Sequence, residues 1–358
     1  MEKLKDIVSR FEIEEKVTAV TPMGEGLIND TYKVFVEGSD KPKYVLQRIN
    51  NAVFQDVDML MDNINKVTNH LREKGMKTLH FYPAKSKKLY YMEEISPLPS
   101  VGRNDGKKEG GKYWRLMDFV ADSVTCQTVN PHYSYLAGKS FGEFEYLLSD
   151  LEEPIGEIIP DFHNIEFRLR QLRDAVTADN MGRVAEVQYY LDEIFKREEK
   201  MTLGERLFRE GKLPKRICHC DTKVNNMLFD KDGNVLCIID LDTVMPSFVF
   251  SDYGDFLRTA ANTSNEDEPN LDKIDFNMEI FEAFTKGYLE STKDFLLPVE
   301  KEHLPYAAML FPYMQTVRFL ADYINGDTYY KIKYHNHNLI RTKAQWKLFT
   351  QAEFKLSH

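Results

Sequence analysis

The sequence predicts an α+β protein of two lobes, a small strand-rich lobe over residues 1–120 and a larger, mostly helical lobe over 121–358. Three observations predict it. Strand-like runs joined by turn chemistry fill the first third of the chain. Apolar residues at helical spacing dominate after residue 120. A short strand island at 217–239 interrupts that helical region. A length of 358 residues suits two domains at ~150 residues each. The 42% hydrophobic and 29% charged composition is that of a globular chain, neither disordered nor fibrous.

Residues 1–16 read as an amphipathic helix with Leu4, Ile7, Val8 and Phe11 on one face. Strand-like runs follow at 17–21, 31–36 and 44–49. The linkers MGEGLIND and EGSDKPK between them are turn chemistry, so the three form a hairpin meander. Val57, Leu60, Met61, Ile64, Val67 and Leu71 recur at helical spacing and predict a helix over 54–73. Two more strands are expected at 89–93 and 112–119, separated by the Gly- and charge-rich loop SVGRNDGKKEGG. Helical patterns then occupy 132–150, 164–178 and 183–200. The strand island comprises 217–220, 227–229 and 235–239, with KDGN as its turn. Helical patterns resume at 275–291, 300–325 and 338–355. No internal repeat is present.

Charge and cysteine content exclude whole classes of function. Lys and Arg number 47 against 57 Asp and Glu, a net charge of −10. A general nucleic-acid surface needs a basic face, which this balance does not supply. No apolar stretch is long enough to span a membrane, and MEKLKDIVSRFEIEE lacks the apolar core of a signal peptide. Four cysteines are too few for a disulfide scaffold in a chain of this length. Cys218 and Cys220 flank His219, but no second Cys/His pair follows at finger spacing, so buried thiols are expected rather than a zinc site. The expectation is a cytoplasmic protein with no nucleic-acid or membrane partner.

The most specific motif is His219-Cys220-Asp221-Thr222-Lys223-Val224-Asn225-Asn226 ahead of the apolar run 227–229. It has the H-x-D-x4-N spacing of a phosphoryl-transfer loop. Asp221 would orient the acceptor hydroxyl and take its proton. Asn226, five residues on, would reach a metal on the nucleotide phosphates, and Lys223 would meet the transferred group. Ile238-Ile239-Asp240-Leu241-Asp242-Thr243 follows a predicted strand, and an acid at that strand end suits Mg²⁺, which takes carboxylate, phosphate and water oxygens. Together these features predict a nucleotide-dependent phosphotransferase. Without that function Asp221 and Asp240 would merely cap turns, which leaves two acids and an Asn assembled for no reason.

Nucleotide contacts are expected from the first lobe. Gly24 and Gly26, in the turn between the first two strands, would let backbone N–H groups approach phosphates; a plain hairpin turn is the competing reading. Leu46 and Arg48 share a strand face, which would set an apolar side chain over the base and a cation on the phosphates; the competing reading is a solvated edge cation. Asp58 and Asp62 are the acids that could hold Arg48. Met117 and Phe119, in the strand Trp114–Val120, would present backbone groups to adenine.

These residues together resemble the aminoglycoside phosphotransferase/choline kinase superfamily, over nearly the whole chain. The segments MGEGLINDTYKV, YVLQRIN, YWRLMDFV, IPDFH, HCDTKVNN, IIDLDTVMP, DYGDFLR and VRFLADYINGDTYYK, with the following HNHNLIR, are similar to the N-acetylhexosamine 1-kinase subgroup. The resemblance implies a protein-kinase-like bilobal fold and ATP- and Mg²⁺-dependent phosphorylation of GlcNAc or GalNAc at the anomeric oxygen. It implies Asp221 as base, Asn226 and Asp240 as metal ligands, and Thr243, Arg318 and Tyr329 as sugar contacts. A monomer or homodimer acting on a small sugar and ATP is expected. Cys220 stands where relatives often carry a small or polar residue. Whether Asp242 or Asp252 shares the metal stays open. The residues alone say less about the acceptor. Arg318 and Asp322 share a helix side and could be a surface ion pair, and His163 could line a pocket or cap a loop. A choline-like amino alcohol or an aminoglycoside as acceptor, and a non-catalytic nucleotide-binding module, are the alternatives. The last predicts loss of Asp221, Asn226 or Asp240, and all three are present.

Overall fold

The computed structural model describes residues 2–24, 28–94, 111–126 and 128–357. In chain order the elements begin with α1 (Glu2–Val8), β1 (Val17–Pro22), β2 (Asp30–Val36), β3 (Tyr44–Ile49) and α2 (Val57–Glu73). Next come β4 (Phe81–Tyr82), β5 (Tyr91–Glu93), β6 (Lys112–Asp118), α3 (Pro131–Leu147), α4 (Ile165–Ala178), α5 (Gln188–Met201) and α6 (Leu203–Arg209). They are followed by β7 (Arg216–Cys218), β8 (Met227–Phe229), β9 (Val235–Ile238), β10 (Met245–Ser247) and α7 (Phe250–Ala260). The chain closes with α8 (Met278–Thr292), α9 (Pro298–Glu302), α10 (Leu304–Ile324) and α11 (His337–Leu356). Side-chain caps mark several helix starts: Asp56, Asn130, Asn164 and Asn277 each accept from the backbone N–H three residues on.

The chain divides into two compact units. The first comprises residues 1–124, 151–159 and 228–242, and so is wider than the contiguous 1–120 read from the sequence. Its sheet runs β1-β2-β3-β6-β4, all antiparallel, with β5 also on β6. The alternation along β3 and β6 decides what each face does. Tyr44, Leu46, Trp114 and Leu116 pack with Ile7, Val8 and Phe11 from the α1 segment in one apolar cluster. Gln47 and Arg115, paired in register across the two strands, lie on the opposite face. The β8–β9 hairpin belongs here through residues 228–238, and Val124 bridges to Phe229.

The second unit comprises residues 125–150, 160–227 and 243–358. Its centre is α10, buried on nearly every side, as a helix apolar all round must be. The helix pair α3 and α8 touches backbone to backbone. A Cβ on Gly138 would lie 2.1 Å from the Phe284 carbonyl oxygen, and one on Gly287 would lie 2.1 Å from that of Tyr135. Ser134 Oγ donates to the Ile280 carbonyl in the same contact.

Several expectations are revised. The first helix ends at Val8 rather than continuing to 16. The 300–325 pattern splits at His303 because Pro305 cannot continue a helix and instead starts one. The sequence reading omits α6, β4, β10 and α7. In α7, Phe250, Tyr253, Phe256 and Leu257 recur at helical spacing, and Asp252 and Asp255 are buried as well.

Candidate active site

The loop carrying Asp221 is built in the second unit by an unusual turn. Cys220 has φ +61, a left-handed conformation that a non-glycine residue adopts only when its surroundings impose it. The imposing group is Asp252 on α7. Its Oδ2 accepts the His219 N–H and its Oδ1 the Cys220 N–H, both at 2.7 Å. Thr222 Oγ1 donates to the Asp252 carbonyl at 2.6 Å, and Thr243 Oγ1 donates to the His219 carbonyl at 2.8 Å. The His219 ring is fully buried, packed against Phe141 and Phe144. His219 is therefore a structural member of the motif, and Asp221 is the member that lines the adjacent cavity.

Around Asp221, Lys223 Nζ donates to Oδ2 at 2.8 Å and Asn226 Nδ2 donates to Oδ2 at 3.0 Å and to the backbone carbonyl at 2.8 Å. Burial opposes ionisation of Asp221, but Lys223, His219 and Asn226 outweigh it, and the pKa lies below the ordinary aspartate value. A carboxylate held ionised in this way can accept a proton at neutral pH. With its amide nitrogen committed to Asp221, Asn226 keeps its carbonyl oxygen as the atom able to ligate a cation.

A cavity of about 130 Å³ opens beside Asp221 within the same unit. Phe162, His163, Asp255, Gln315, Arg318 and Tyr330 are among its lining residues. Arg318 makes no ion pair among the described residues. It donates to Gln315 Oε1 at 3.2 Å and lies over the rings of Phe162 and Tyr330, at 5.8 and 5.6 Å from their centres. His163 stacks on Phe162 and meets Phe311 edge-on, and its buried Nδ1 has no partner. Burial first, then Arg318, Arg168 and Arg258, hold the His163 pKa well below its usual value. Burial and Arg318 likewise lower Arg168 to about 10.

Of the three sugar contacts expected from the resemblance, Arg318 alone lines the cavity. Thr243 has its hydroxyl committed to the His219 carbonyl. Tyr329 is 74% exposed, and it is Tyr330, partner to Gln315 and Arg318, that faces in. Asp322 makes no ion pair with Arg318. Its carboxylate accepts the backbone N–H groups of Thr328, Tyr329 and Tyr330 and so folds the loop that delivers Tyr330.

In the first unit, Asp240 follows β9 and, like Cys220, has positive φ, +61. Two residues on, Asp242 is buried and fully engaged. Arg115 Nη1 donates to Oδ1 at 2.5 Å and Asn29 Nδ2 to Oδ2 at 2.7 Å. Gln47 Oε1 in turn accepts from Arg115 Nε at 2.9 Å and Nη2 at 2.7 Å. Asp242 and Asp252 thus both serve structural hydrogen bonds. Arg115 and Asn29 are absent from the sequence reading. Strand parity could have found Arg115, because Arg115 and Gln47 alternate with the apolar residues of β6 and β3.

The expected nucleotide contacts are placed as follows. Gly24 has φ +64 and open space around its Cβ position, so backbone conformation is what requires glycine there. Gly26 lies outside the described residues. Leu46 belongs to the core beneath α1 rather than over a base. Arg48, on that same face, pairs with Asp30 at 2.5 Å, not with Asp58 or Asp62, which pair with Lys88 and Lys66. It lines a small polar cavity with Asp30, Asn50, Asn51 and Lys112. Met117 is buried in β6, and the Phe119 N–H is already donated to the Lys43 carbonyl at 3.0 Å.

Among the described residues, Glu145, Cys218 and Asp252 are the group of possible metal ligands that converge, within 4.8 Å of one another. All three are buried, Asp252 is saturated by backbone N–H groups, and Tyr288 donates to Glu145. No helix among the described residues is long and apolar enough to cross a membrane.

Comparison with known proteins decides the family. The profile of APH, the phosphotransferase enzyme family, matches residues 19–289, more than half of the chain. The chain belongs to that family. This phosphotransferase is similar over 99% of its length to a microcompartment-associated aminopropanol kinase, 97% of which is covered, at 13% identity and a TM-score of 0.62. An amicoumacin kinase solved with AMP-PNP and Ca²⁺ gives 13% identity, coverage of 99% and 93%, and a TM-score of 0.61. A choline kinase from Cryptosporidium parvum Iowa II gives 14% identity, coverage of 99% and 96%, and 0.57. At such identities the likeness establishes the fold, the protein-kinase-like α+β arrangement expected from the sequence.

Proposed function

We propose that this phosphotransferase moves the γ-phosphoryl group of ATP to the anomeric hydroxyl of an N-acetylhexosamine, GlcNAc or GalNAc. The observation that carries the choice of acceptor is Arg318, a guanidinium without a carboxylate partner, set between two aromatic rings in the cavity that Asp221 lines. A cationic acceptor such as choline, aminopropanol or an aminoglycoside would meet the Arg318 guanidinium in this cavity. A neutral polyol gains hydrogen bonds from Arg318 and Gln315 and apolar contact from the rings.

In this reading the acceptor hydroxyl gives its proton to Asp221, its oxygen bonds to the γ-phosphorus, the bond to the bridging oxygen breaks, and ADP leaves. The anomeric hydroxyl is the most acidic of a sugar, so a carboxylate assists it readily. Lys223, at Asp221 Oδ2, neutralises charge beside the transferred group. Asn226 and Asp240 each offer a hard oxygen, the ligand type Mg²⁺ takes, and the ion would offset phosphate charge. Gly24, Gly26, Arg48, Met117 and Phe119 are the proposed nucleotide-side residues, and Thr243 and Tyr329 are, with Arg318, the proposed contacts of the acceptor. The four cysteines are unpaired, which fits the reducing cytoplasm.

The test is an acceptor screen with ATP and Mg²⁺ over hexosamines, choline, aminopropanol and aminoglycosides. N-acetylhexosamine should lose its reducing-sugar signal in step with ADP formation, and ³¹P–¹H coupling should appear at the anomeric proton. ADP release with the reducing end retained would mean a different hydroxyl. Turnover of the amino alcohols alone would replace the sugar reading.

A further inference from the structure

The cavity beside Asp221 holds a second carboxylate that the loop motif does not include. Asp255 stands on α7 three residues after Asp252, so the helix that anchors the loop also brings Asp255 to the cavity wall. Its Oδ1 accepts Arg258 Nε and Nη2 at 3.2 and 3.1 Å, while Oδ2 takes no hydrogen bond among the described residues. Arg258 is itself shared, since its Nη1 donates to Glu266 at 2.8 Å. Asp255 is thus a buried carboxylate only partly compensated by its partner. Its Oδ2 is therefore available to a donor arriving in the cavity that Asp255 lines.

We propose that Asp255 is a second acceptor-binding carboxylate, its Oδ2 accepting a hydrogen bond from an O–H or N–H group next to the hydroxyl that is phosphorylated. The inference rests on the reading of this cavity as the acceptor site. Asp221 then handles the reacting hydroxyl, and Asp255 reads its neighbour: the amide N–H at C2 of an N-acetylhexosamine, or the C2 hydroxyl of a hexose. The electrostatics agree. Burial, opposed by Arg258 and reinforced by Asp221, pushes Asp255 up to about 6, the mark of a carboxylate whose charge is under-solvated. An acceptor with one hydroxyl and no adjacent donor leaves Oδ2 unpaired, so the residue selects for acceptors that carry a donor beside the reacting hydroxyl.

The experiment compares N-acetylglucosamine, glucose and 2-deoxyglucose on wild type, Asp255→Asn and Asp255→Ala, with melting temperature and KM for ATP measured alongside. Asp255→Asn leaves an oxygen for Arg258 and puts a donor in place of Oδ2. Wild type should favour N-acetylglucosamine and glucose over 2-deoxyglucose. Both variants should lose roughly 10–100-fold in kcat/KM on the first two sugars, the size expected for a hydrogen bond to a charged group. They should lose little on 2-deoxyglucose and leave KM for ATP unchanged, so that discrimination collapses. Wild-type turnover with the discrimination intact in Asp255→Asn overturns this inference alone, as does an equal loss on all three sugars, which is what a purely structural role predicts. Wild type that leaves N-acetylglucosamine unphosphorylated overturns the acceptor reading and this inference with it.

Discussion

Asp221 is held ionised by Lys223 and Asn226, and turnover should depend on it more than nucleotide binding does. In Asp221→Asn, kcat should fall about 10²–10⁴-fold, the usual weight of general base assistance, while the dissociation constant for Mg-nucleotide stays near wild type. Single-turnover kinetics with calorimetry separates the two, and turnover within a few-fold of wild type would remove Asp221 from the role. Asp221, Lys223 and Asn226 were legible in the sequence because their chemistry lies within six consecutive residues. Arg115 and Asp255 were not. Arg115 acts through Asp242, 127 residues away, and Asp255 acts through a cavity whose other walls come from α10 and the 160s. Tyr329 and Tyr330 show the finer limit: adjacent tyrosines are equivalent in a pattern, and only the three N–H bonds to Asp322 decide which one turns inward.

At the scale of elements, the α3–α8 contact is the tightest constraint in the second unit. Gly138→Ala sets a methyl against a main-chain carbonyl that cannot rotate away, so the helices must separate. Overpacking of this kind costs about 1–3 kcal/mol, and denaturant unfolding of Gly138→Ala should show a loss at the upper end of that range. A midpoint unchanged from wild type would mean that the helices shift freely. Most helices were legible from apolar spacing and Asx caps, because those signals are local. The helix α7 carries the same spacing in Phe250, Tyr253, Phe256 and Leu257, but over only 11 residues. What spacing alone does not tell is that its acids are buried, Asp252 against backbone N–H groups and Asp255 against Arg258.

Over the whole molecule, buried carboxyls shape the response to pH. Glu205 is buried, with Oε1 accepting the Ile165 N–H at the start of α4 and Oε2 unpartnered. Burial raises its pKa from 4.5 to about 7, against the help of those backbone bonds. A carboxyl whose folded pKa is raised contributes most below its unfolded pKa, and that contribution is lost as pH rises through the folded one. The window here runs from about 4.5 to about 7 and is worth roughly 3 kcal/mol. Relative to wild type, Glu205→Gln should gain stability progressively between pH 5 and pH 8, read from melting temperatures across that range. A constant difference would mean that Glu205 does not titrate there. The expected boundary near residue 120 rests on the change there from strand-like to helical patterning. The return of 151–159 and 228–242 to the first unit was not, because such short segments carry no pattern that says which core they join.

The Ser134 hydroxyl meets the Ile280 carbonyl 146 residues downstream. On a ribosome adding about 5–20 residues per second, that separation is a delay of roughly seven to thirty seconds. During it α3 has been made, but the helix its glycine face fits does not yet exist. The nascent second unit therefore emerges with an uncovered seam and closes only when α8 arrives. The seam where two helix backbones touch in the finished protein is one that the growing chain leaves open until α8 is made.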